Sequence, residues 1–419
     1  MRSRQLLLIF VLALAARLGF LAVRGTIESP DTAEYQLLAR NVLRFHTFSV
    51  DERPPIAPSI RRPPVYPIFL ASLMPLTSSR IAPAIAQAVL DALIAVMIFL
   101  IASRAVRQPF AMAVSVFYAI HPGPISATAA ILSEVVFTTL LCAAALFALI
   151  AAERASTIIA IYSGIAFGLA ALTRSIGIVY LIAVLCVLLA YRFRRTAVIA
   201  GISAIIVIAP WIIRSSRLAS RFVLIQAPSS LGWYLPSLWW LDQNDEPGMW
   251  RHYLGSPYGV RLEAAKTPAE VMRADDFGRQ QTIANIRKNP RAYLQSRIRA
   301  FPHLFLNTFD LFTGINRSLG EVVSAHDFGA LDVKLTFLLF FSALPMVFAL
   351  LGLPASRQTL AASIAAALWL ITLAFHVPVW IEYRYWRPAL PFHLVTAALG
   401  IQMAKDIVAT RARFPDKGN

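Results

Sequence analysis

Apolar segments long enough to cross a lipid bilayer recur along most of this chain of 419 residues. A transmembrane helix needs about 17–25 predominantly apolar residues. Hydrophobic residues make up 58% of the sequence and charged residues 15%, against about 45–50% and about 25% in soluble domains. A disordered chain, a coiled coil and a disulfide scaffold are therefore excluded. The excess of apolar side chains argues against a soluble enzyme and for a membrane protein.

The apolar runs predict an all-α, polytopic bundle of about 10–12 transmembrane helices in one domain, 1–419. The predicted spans are 6–23, 81–103, 109–121, 125–151, 157–173, 176–191, 196–214, 298–315, 333–353, 359–377 and 388–404. Polar residues interrupt 298–315, so this run either crosses the bilayer or lies in its interface. A cleaved signal peptide is the alternative for the first run, although the run continues past its Ala-Leu-Ala sequence.

Two long polar segments, 24–80 and 215–297, interrupt the spans and are predicted to contain short amphipathic helices. Basic residues cluster at the short links elsewhere, and the formal net charge is +17. This distribution is typical of positive-inside topology, and it places the N-terminus in the cytoplasm and both polar segments outside. Binding of some arginines to anionic lipid or phosphate is the alternative. Nucleic-acid binding is not expected.

The first polar segment begins with two carboxylates, Asp31 and Glu34, at the start of a helical pattern. If Asp31 is the N-cap and Glu34 is at position N3, the pair forms a capping box. Asp31 would also lie at the positive end of a helix, where it stays ionised. There it could accept a proton from a hydroxyl group or share a metal ion. The two interpretations are compatible.

The same segment ends with Arg61 and Arg62, which precede a rigid Pro63–Pro64 step and an apolar stretch. This position holds two guanidinium groups at the level of the lipid head groups. Guanidinium forks match the geometry of phosphate. The alternative is an arginine pair that snorkels to the interface without a ligand.

Two further features suggest a site. Glu134 is an ionisable residue within a predicted span. Such a residue usually indicates a functional site, and an ion pair with a nearby arginine is the alternative. The second polar segment is rich in aromatic residues, including Trp233. These rings either stack on sugar or lipid, or form an aromatic belt at the interface.

The two ends of the first polar segment carry a family resemblance. Pro-Asp-x-x-x-Tyr-x-x-x-Ala at 30–39 and Arg-x-Pro-x-Tyr-Pro-x-x-Leu-Ala at 62–71 resemble motifs of the GT-C superfamily of polytopic glycosyltransferases. The most similar branch contains the dolichyl-phosphate-mannose protein mannosyltransferases, the aminoarabinose transferases of lipid A and the lipopolysaccharide-core transferases of rhizobial type. Weaker matches are Ser133-Glu134, Pro210-Trp211-x-x-Arg214 and Glu382-Tyr383-Arg384-Tyr385-x-x-Pro388.

The resemblance implies a hexosyl- or pentosyltransferase of the cell envelope. Such an enzyme moves a sugar from a polyprenyl phosphate to a hydroxyl group of a lipid, glycan or protein, with inversion. It would lie in the bacterial inner membrane, with its site on the non-cytoplasmic side. A polytopic transporter or flippase for lipid-linked glycans and a polymer ligase remain the alternatives.

The resemblance also implies roles for individual residues. Asp31 is expected to be the catalytic base, with Glu34 as the next carboxylate. The residues assigned to the donor phosphate are Arg61, Arg62, Arg174, Arg214 and, depending on topology, Arg384. The residues assigned to substrate binding are Tyr35, Tyr66, Glu134, Trp233 and Tyr385. Many members have Asp-Glu where this chain has Asp31-Thr32, which leaves open whether a divalent metal ion takes part.

Overall fold

The computed structural model describes residues 2–75, 81–242 and 245–413. The last five residues of the predicted first polar segment therefore lie outside the described residues, as do both ends of the predicted domain. The described chain is a bundle of α-helices without a β-strand, and its β-type pairing is an isolated bridge between Ile27 and Ala130. The predicted all-α class is confirmed.

The first half of the chain contains ten helices. They are α1 (Arg2–Arg24), α2 (Pro30–Phe45), α3 (Val65–Leu73), α4 (Ile81–Ala102), α5 (Gln108–Ile120), α6 (Pro122–Ala129), α7 (Glu134–Arg154), α8 (Thr157–Ala171), α9 (Gly177–Ala190) and α10 (Arg194–Ala219). Helices α1, α4, α7 and α10 are long and apolar enough to cross a membrane. Helices α5 and α6 pass the same test as a pair bent by 43°.

Five helices fold from the second polar segment. They are α11 (Leu231–Ser237), α12 (Glu246–Gly255), α13 (Pro257–Ala264), α14 (Pro268–Lys288) and α15 (Pro290–Ala300). They enclose an apolar cluster of their own, and Ile60 of the first polar segment is buried in it. Arg61 Nη2 donates to the carbonyl oxygens of Leu262 and Ala265, both at 2.8 Å. The two polar segments therefore lie against each other.

Six helices follow in the last part of the chain. They are α16 (Asp310–Thr313), α17 (Leu319–Ser324), α18 (Phe328–Leu338), α19 (Leu344–Gly352), α20 (Leu360–His376) and α21 (Leu390–Arg413). A π-helical turn at Leu339–Ala343 joins α18 to α19, and this continuous segment and α21 can each span a membrane. Six helical segments of the described residues, or seven with the bent pair, are thus long and apolar enough to cross a membrane, against the predicted range of about 10–12, and α8, α9 and α20 are apolar but shorter.

Two predicted spans differ in the structure. Residues 298–315 do not form one helix, because a 3₁₀ turn at Phe301–Leu304 and the short α16 divide them. Pro302 and the polar residues noted in the sequence account for the interruption. The predicted span 125–151 is also wrong as one helix, since the chain leaves the helix after Ala129 and re-enters it at Glu134.

Side chains and backbone from other segments satisfy the carbonyl groups around this break. Ile27 N–H donates to Ala129 O, Thr32 Oγ1 to Ile131 O, and Gln87 Nε2 to Thr128 O and Ala130 O. Irregular backbone within a membrane protein is tolerated where protein buries it. As a result, Glu134 lies in the first turn of α7 and not in the middle of a helix.

An ionic network lies inside the bundle, where it joins α1, α4 and α5. Arg17 Nε donates to Asp91 Oδ2 at 2.6 Å, and the Tyr118 hydroxyl donates to Asp91 Oδ1 at 2.8 Å. The Arg17 side chain is fully buried, and its other nitrogens donate to backbone carbonyl groups of Ala13, Tyr118 and Ala119. We call these three side chains, Arg17, Asp91 and Tyr118, the inner cluster.

Candidate active site

The carboxylates of the first polar segment lie on α2, but in a different register from the predicted capping box. Helix α2 begins at Pro30 with Ser29 as its N-cap, and the Ser29 N–H donates to Thr32 Oγ1 at 3.1 Å. Proline is favoured at the first helical position because the N–H it lacks has no partner there. The prediction that Asp31 caps the helix with Glu34 at N3 is therefore wrong, and neither carboxylate is needed for capping.

Asp31 is held between two arginines that are far apart in sequence. Arg62 Nη2 donates to Asp31 Oδ1 at 2.8 Å, and Arg384 Nη1 donates to Asp31 Oδ2 at 2.9 Å. Arg62 also donates to Glu34 Oε2 through Nε and Nη2, at 2.8 and 2.5 Å. The side chains of Arg62, Asp31 and Arg384 are 27%, 25% and 24% exposed. The group is thus open to solvent along one edge.

The surrounding charges set the protonation state of Asp31. Burial by itself raises the pKa of this carboxyl group, but the positive charges of Arg62 and Arg384 outweigh burial and lower the pKa from 3.8 to about 2. Asp31 is therefore ionised throughout the physiological pH range. A carboxylate with so low a pKa is a weak proton acceptor while both guanidinium groups remain on it. An anion that draws them away would raise its basicity.

A second ion pair lies beside the first. Arg174 Nη1 is 2.8 Å from Glu134 Oε1, and the Glu134 side chain is almost fully buried. The structure therefore shows the predicted alternative, an ion pair between Glu134 and an arginine. The guanidinium groups of Arg174 and Arg384 both lie near the ring of Tyr385, at 5.4 and 5.2 Å from its centroid. Tyr385 therefore connects the two ion pairs.

The motif tyrosines support the arginines in different ways. The Arg62 guanidinium lies 5.2 Å from the ring centroid of Tyr35, whose ring packs edge to face on Tyr66 at 4.8 Å. Tyr66 is fully buried, and its hydroxyl donates to Gln87 Oε1 at 2.8 Å. A substrate cannot reach Tyr66 in this arrangement, so the structure corrects its assignment from substrate binding to holding Tyr35 in place.

Three further predicted site residues are not among the side chains that pair with Asp31 or Glu134. Arg61 donates to carbonyl groups of the second polar segment, as described above. The Arg214 guanidinium lies near Trp211 and donates to the carbonyl oxygen of Ser59. Trp233 is on α11 and 42% exposed. The hydrogen bonds described for Arg61 and Arg214 are thus to backbone carbonyl groups and not to the carboxylates around Asp31.

The structure adds two residues that sequence reasoning did not assign to the site. Glu382 Oε2 is 2.5 Å from Arg384 Nε. Arg387 Nε is buried without a hydrogen-bond partner among the described atoms, and Arg387 interacts electrostatically with Glu134 and Arg384. Both residues lie within the late motif at 382–388, whose alternation of charged and aromatic residues was the available signal.

We call the assembled group the outer cluster. It contains four arginines and four carboxylates: Arg62, Arg174, Arg384 and Arg387 with Asp31, Glu34, Glu134 and Glu382. Its formal charges cancel. The outer cluster joins α2, the loop before α3, the start of α7, the loop after α8 and the loop before α21.

These residues do not fit the divalent metal ion that the sequence left open. Both oxygens of Asp31 are engaged by guanidinium groups, and Glu34 is engaged by Arg62. Within the described ranges, no group of three or more His, Cys, Asp and Glu side chains could hold a metal ion. The guanidinium group next to each carboxylate also repels a metal cation.

Comparisons with known proteins agree with this architecture. Residues 61–213 match the family described as dolichyl-phosphate-mannose-protein mannosyltransferase. A crystal structure of the oligosaccharyltransferase of Archaeoglobus fulgidus in the apo form has a similar fold, with a TM-score of 0.56, 14% sequence identity, and coverage of 98% of this chain and 51% of that one. A structure of the same archaeal protein with an inhibitory peptide and a dolichol-phosphate gives a TM-score of 0.54, 12% identity, and coverage of 100% and 52%.

The chain therefore spans about half the length of the archaeal protein. ArnT of Cupriavidus metallidurans, solved with bound undecaprenyl phosphate, is similar at a TM-score of 0.45 and 17% identity, with coverage of 97% of this chain and 79% of that one. No curated protein matches the chain in sequence.

The fold and the site define the class of membrane protein to which this chain is similar. The chain is a polytopic helical membrane protein with the fold of GT-C glycosyltransferases, and the predicted resemblance to that superfamily is confirmed. Within it, residues 61–213 are similar to the protein mannosyltransferases. This range includes Arg62, Glu134 and Arg174 but not Asp31. Asp31 is therefore assigned to the site by its contacts with Arg62 and Arg384.

Proposed function

We propose that this protein is an inverting glycosyltransferase that moves a sugar from a polyprenyl phosphate to an acceptor hydroxyl group. We place the reaction on the non-cytoplasmic face of the bacterial inner membrane. The observation that carries the proposal is the position of Asp31 between Arg62 and Arg384. A proton acceptor and an anion-binding pair meet there at one partly exposed place.

The arginines suit the leaving group. A polyprenyl-phosphate sugar is a phosphodiester with a single negative charge, and guanidinium groups bind phosphate through paired N–H donors. When the donor binds, Arg62 can remain paired with Glu34 and Arg384 with Glu382. The other N–H groups of each guanidinium then face the donor phosphate. The arginines therefore stay oriented, and the phosphate that departs is already a stable anion. Its charge needs fixed cations and not a general acid.

The proposed reaction forms one bond, breaks another and transfers one proton. The acceptor oxygen attacks the anomeric carbon from the side opposite the phosphate and forms the new glycosidic bond. The bond between that carbon and the phosphate oxygen breaks, and the electron pair leaves with the lipid phosphate. The hydroxyl proton passes to the Asp31 carboxylate. Attack from the opposite side inverts the configuration at the anomeric carbon.

The pairing around Asp31 links proton transfer to donor binding. In the free site both guanidinium groups keep its pKa near 2, so it removes protons poorly. A donor phosphate that shares Arg62 and Arg384 weakens their hold on the carboxylate, and its own negative charge raises the pKa further. The base thus becomes effective when the donor is in place, which limits reaction with acceptor or water alone.

The direct test uses the purified protein in lipid nanodiscs with radiolabelled polyprenyl-phosphate hexoses and pentoses, an extract of envelope lipids as acceptor, and Asp31→Asn as the matched control. We expect release of polyprenyl phosphate with at least one donor and little release by the control. If no donor releases its lipid phosphate while the protein is folded, the proposal is wrong.

A chelator tests whether the reaction needs a metal ion. Because guanidinium groups already neutralise the carboxylates, we expect EDTA at millimolar concentration to change the turnover by less than about twofold. Loss of turnover that Mg²⁺ or Mn²⁺ restores would show instead that a cation displaces the arginines when substrate binds.

A further inference from the structure

A cavity of about 520 Å³ is lined by residues that do not belong to the outer cluster. Helices α2, α3 and α10 and the loop before α3 form its walls. Most of its lining is apolar, as at Phe48, Ile68 and Leu218, and its ionisable residues are Arg214 and His46. A cationic group in an otherwise apolar cavity suggests a ligand that is anionic at one end and apolar along the rest.

Arg214 differs from the arginines of the outer cluster because no described carboxylate pairs with it. Its guanidinium lies 4.5 Å from the ring centroid of Trp211 and 5.7 Å from that of Phe48. Its described hydrogen bond is from Nη1 to the carbonyl oxygen of Ser59 at 3.1 Å. A guanidinium has five N–H donors, so most of them remain available for an anion.

The cavity has an exposed apolar side chain on its wall and lies near one end of α10. Ile68 on its wall is 52% exposed. Ile213 directly precedes Arg214 near one end of α10, a helix long enough to span the membrane. Because Arg214 lies near the end of a candidate span, we expect the cavity to lie near the bilayer interface.

We propose that this cavity binds the phosphate-bearing head group of an anionic membrane lipid other than the glycosyl donor. Arg214 holds the phosphate, Trp211 and Phe48 flank the guanidinium, and an acyl chain runs along Ile68 and Leu218. Free phosphate would leave these apolar walls unoccupied. A donor phosphate bound here would not be held by Arg62 and Arg384, the arginines that contact Asp31. The inference depends on the cavity and not on the transfer reaction.

Native mass spectrometry of the detergent-solubilised protein tests the proposal, with dioleoyl phosphatidic acid and dioleoylglycerol as probes. The two lipids share their chains and differ in the phosphate. We expect the phosphatidic acid to bind more tightly, and Arg214→Gln to lower its affinity by about tenfold or more, since a charge-assisted hydrogen bond is lost. Arg217→Gln, an exposed arginine on the same helix outside the lining, is the matched control and should bind as the wild type does.

A second variant tests the proposal independently, in case Arg214→Gln does not fold. Leu218→Trp fills the cavity while it keeps the guanidinium, and we expect it to lower phosphatidic acid binding as well. Equal binding of phosphatidic acid by the wild type and both variants would overturn the proposal and leave a snorkelling arginine. Competition by inorganic phosphate at similar concentration would identify a free-phosphate site and also overturn it.

The transfer assay distinguishes this inference from the proposed function. We expect Arg214→Gln to leave the KM for the polyprenyl-phosphate donor within about twofold of the wild type. A large increase in that KM, with phosphatidic acid binding unchanged, would assign Arg214 to the donor. If no transfer is detected for any variant, the binding results still decide the inference.

Discussion

The inner and outer clusters are built from the same chemical groups, yet they are arranged for different purposes. In the inner cluster, the arginine and aspartate side chains are 0% and 3% exposed, and backbone carbonyl groups use the remaining guanidinium donors. In the outer cluster, the arginines that hold Asp31 are about a quarter exposed. Arg387 Nε is also buried there without a hydrogen-bond partner among the described residues.

The difference shows when a buried ion pair is structural and when it is available for chemistry. A buried pair whose hydrogen bonds are all made costs much to disturb, so its geometry is fixed. A pair that is partly exposed and has unused donors can exchange one anion for another. The inner cluster fastens three helices, whereas the outer cluster can receive a phosphate.

The largest effect on activity should come from Asp31→Asn. Asparagine cannot accept the proton, so we expect turnover to fall by roughly 10²-fold or more. The fold should be retained, because Ser29 and not Asp31 caps α2, and because Arg62 keeps Glu34. The measurements are single-turnover transfer and thermal unfolding in detergent. Near wild-type turnover would remove Asp31 from the mechanism and make Glu34 the next residue to test.

An aspartate-to-asparagine substitution in the inner cluster should lower stability and leave activity nearly unchanged. Asp91→Asn leaves the Arg17 charge buried without a counter-charge, which costs about 3–5 kcal/mol when one partner of such a pair is removed. We expect a large drop in the unfolding temperature, with turnover per folded molecule close to normal. An Asp91→Asn protein as stable as the wild type would show that the inner cluster does not stabilise the bundle.

Arg62 should affect donor binding more than the chemical step. We expect Arg62→Ala to raise the KM for the polyprenyl-phosphate donor by about tenfold, the usual effect of losing a charge-assisted hydrogen bond. Arg62→Lys should restore only part of this loss, since an ammonium group lacks the planar fork. Unchanged donor dependence in both variants would support a snorkelling arginine instead.

The smallest effect concerns the pH dependence of kcat/KM. The wild-type pKa of Asp31 is about 2, so protonation of Asp31 should not limit the reaction between pH 4 and 8. Arg384→Gln removes one of the charges that lower this pKa, while burial still raises it. We therefore expect the acid limb to move up by about one pH unit or more. Arg107→Gln, which breaks an exposed pair with Asp406, is the control and should leave the profile unchanged.

Much of this protein can be predicted from local sequence. Long apolar runs have few alternatives to transmembrane helices, because every backbone polar group must be satisfied within the bilayer. The motifs around Asp31, Arg62 and Arg384 identified residues that meet in the structure.

Pairing of the charges could not be predicted, because it depends on contacts between distant segments. Asp31 and Arg384 are 353 positions apart, and no local pattern links them. Neighbouring Arg61 and Arg62 have the same sequence environment, yet one donates to the second polar segment and the other to Asp31. A periodic pattern reports which side chains are buried, and it does not report which partner each one meets.

The sequence by itself determined an apolar helical bundle with two polar segments and the residue types of its site. Hydrophobic length and local motifs carry that information, because a bilayer selects for both along a short stretch of chain. Only the tertiary structure decided that α7 starts at Glu134, that Ser29 caps α2, and that Arg214 faces a separate cavity. Each of these depends on hydrogen bonds and packing between segments, which form only when the bundle closes.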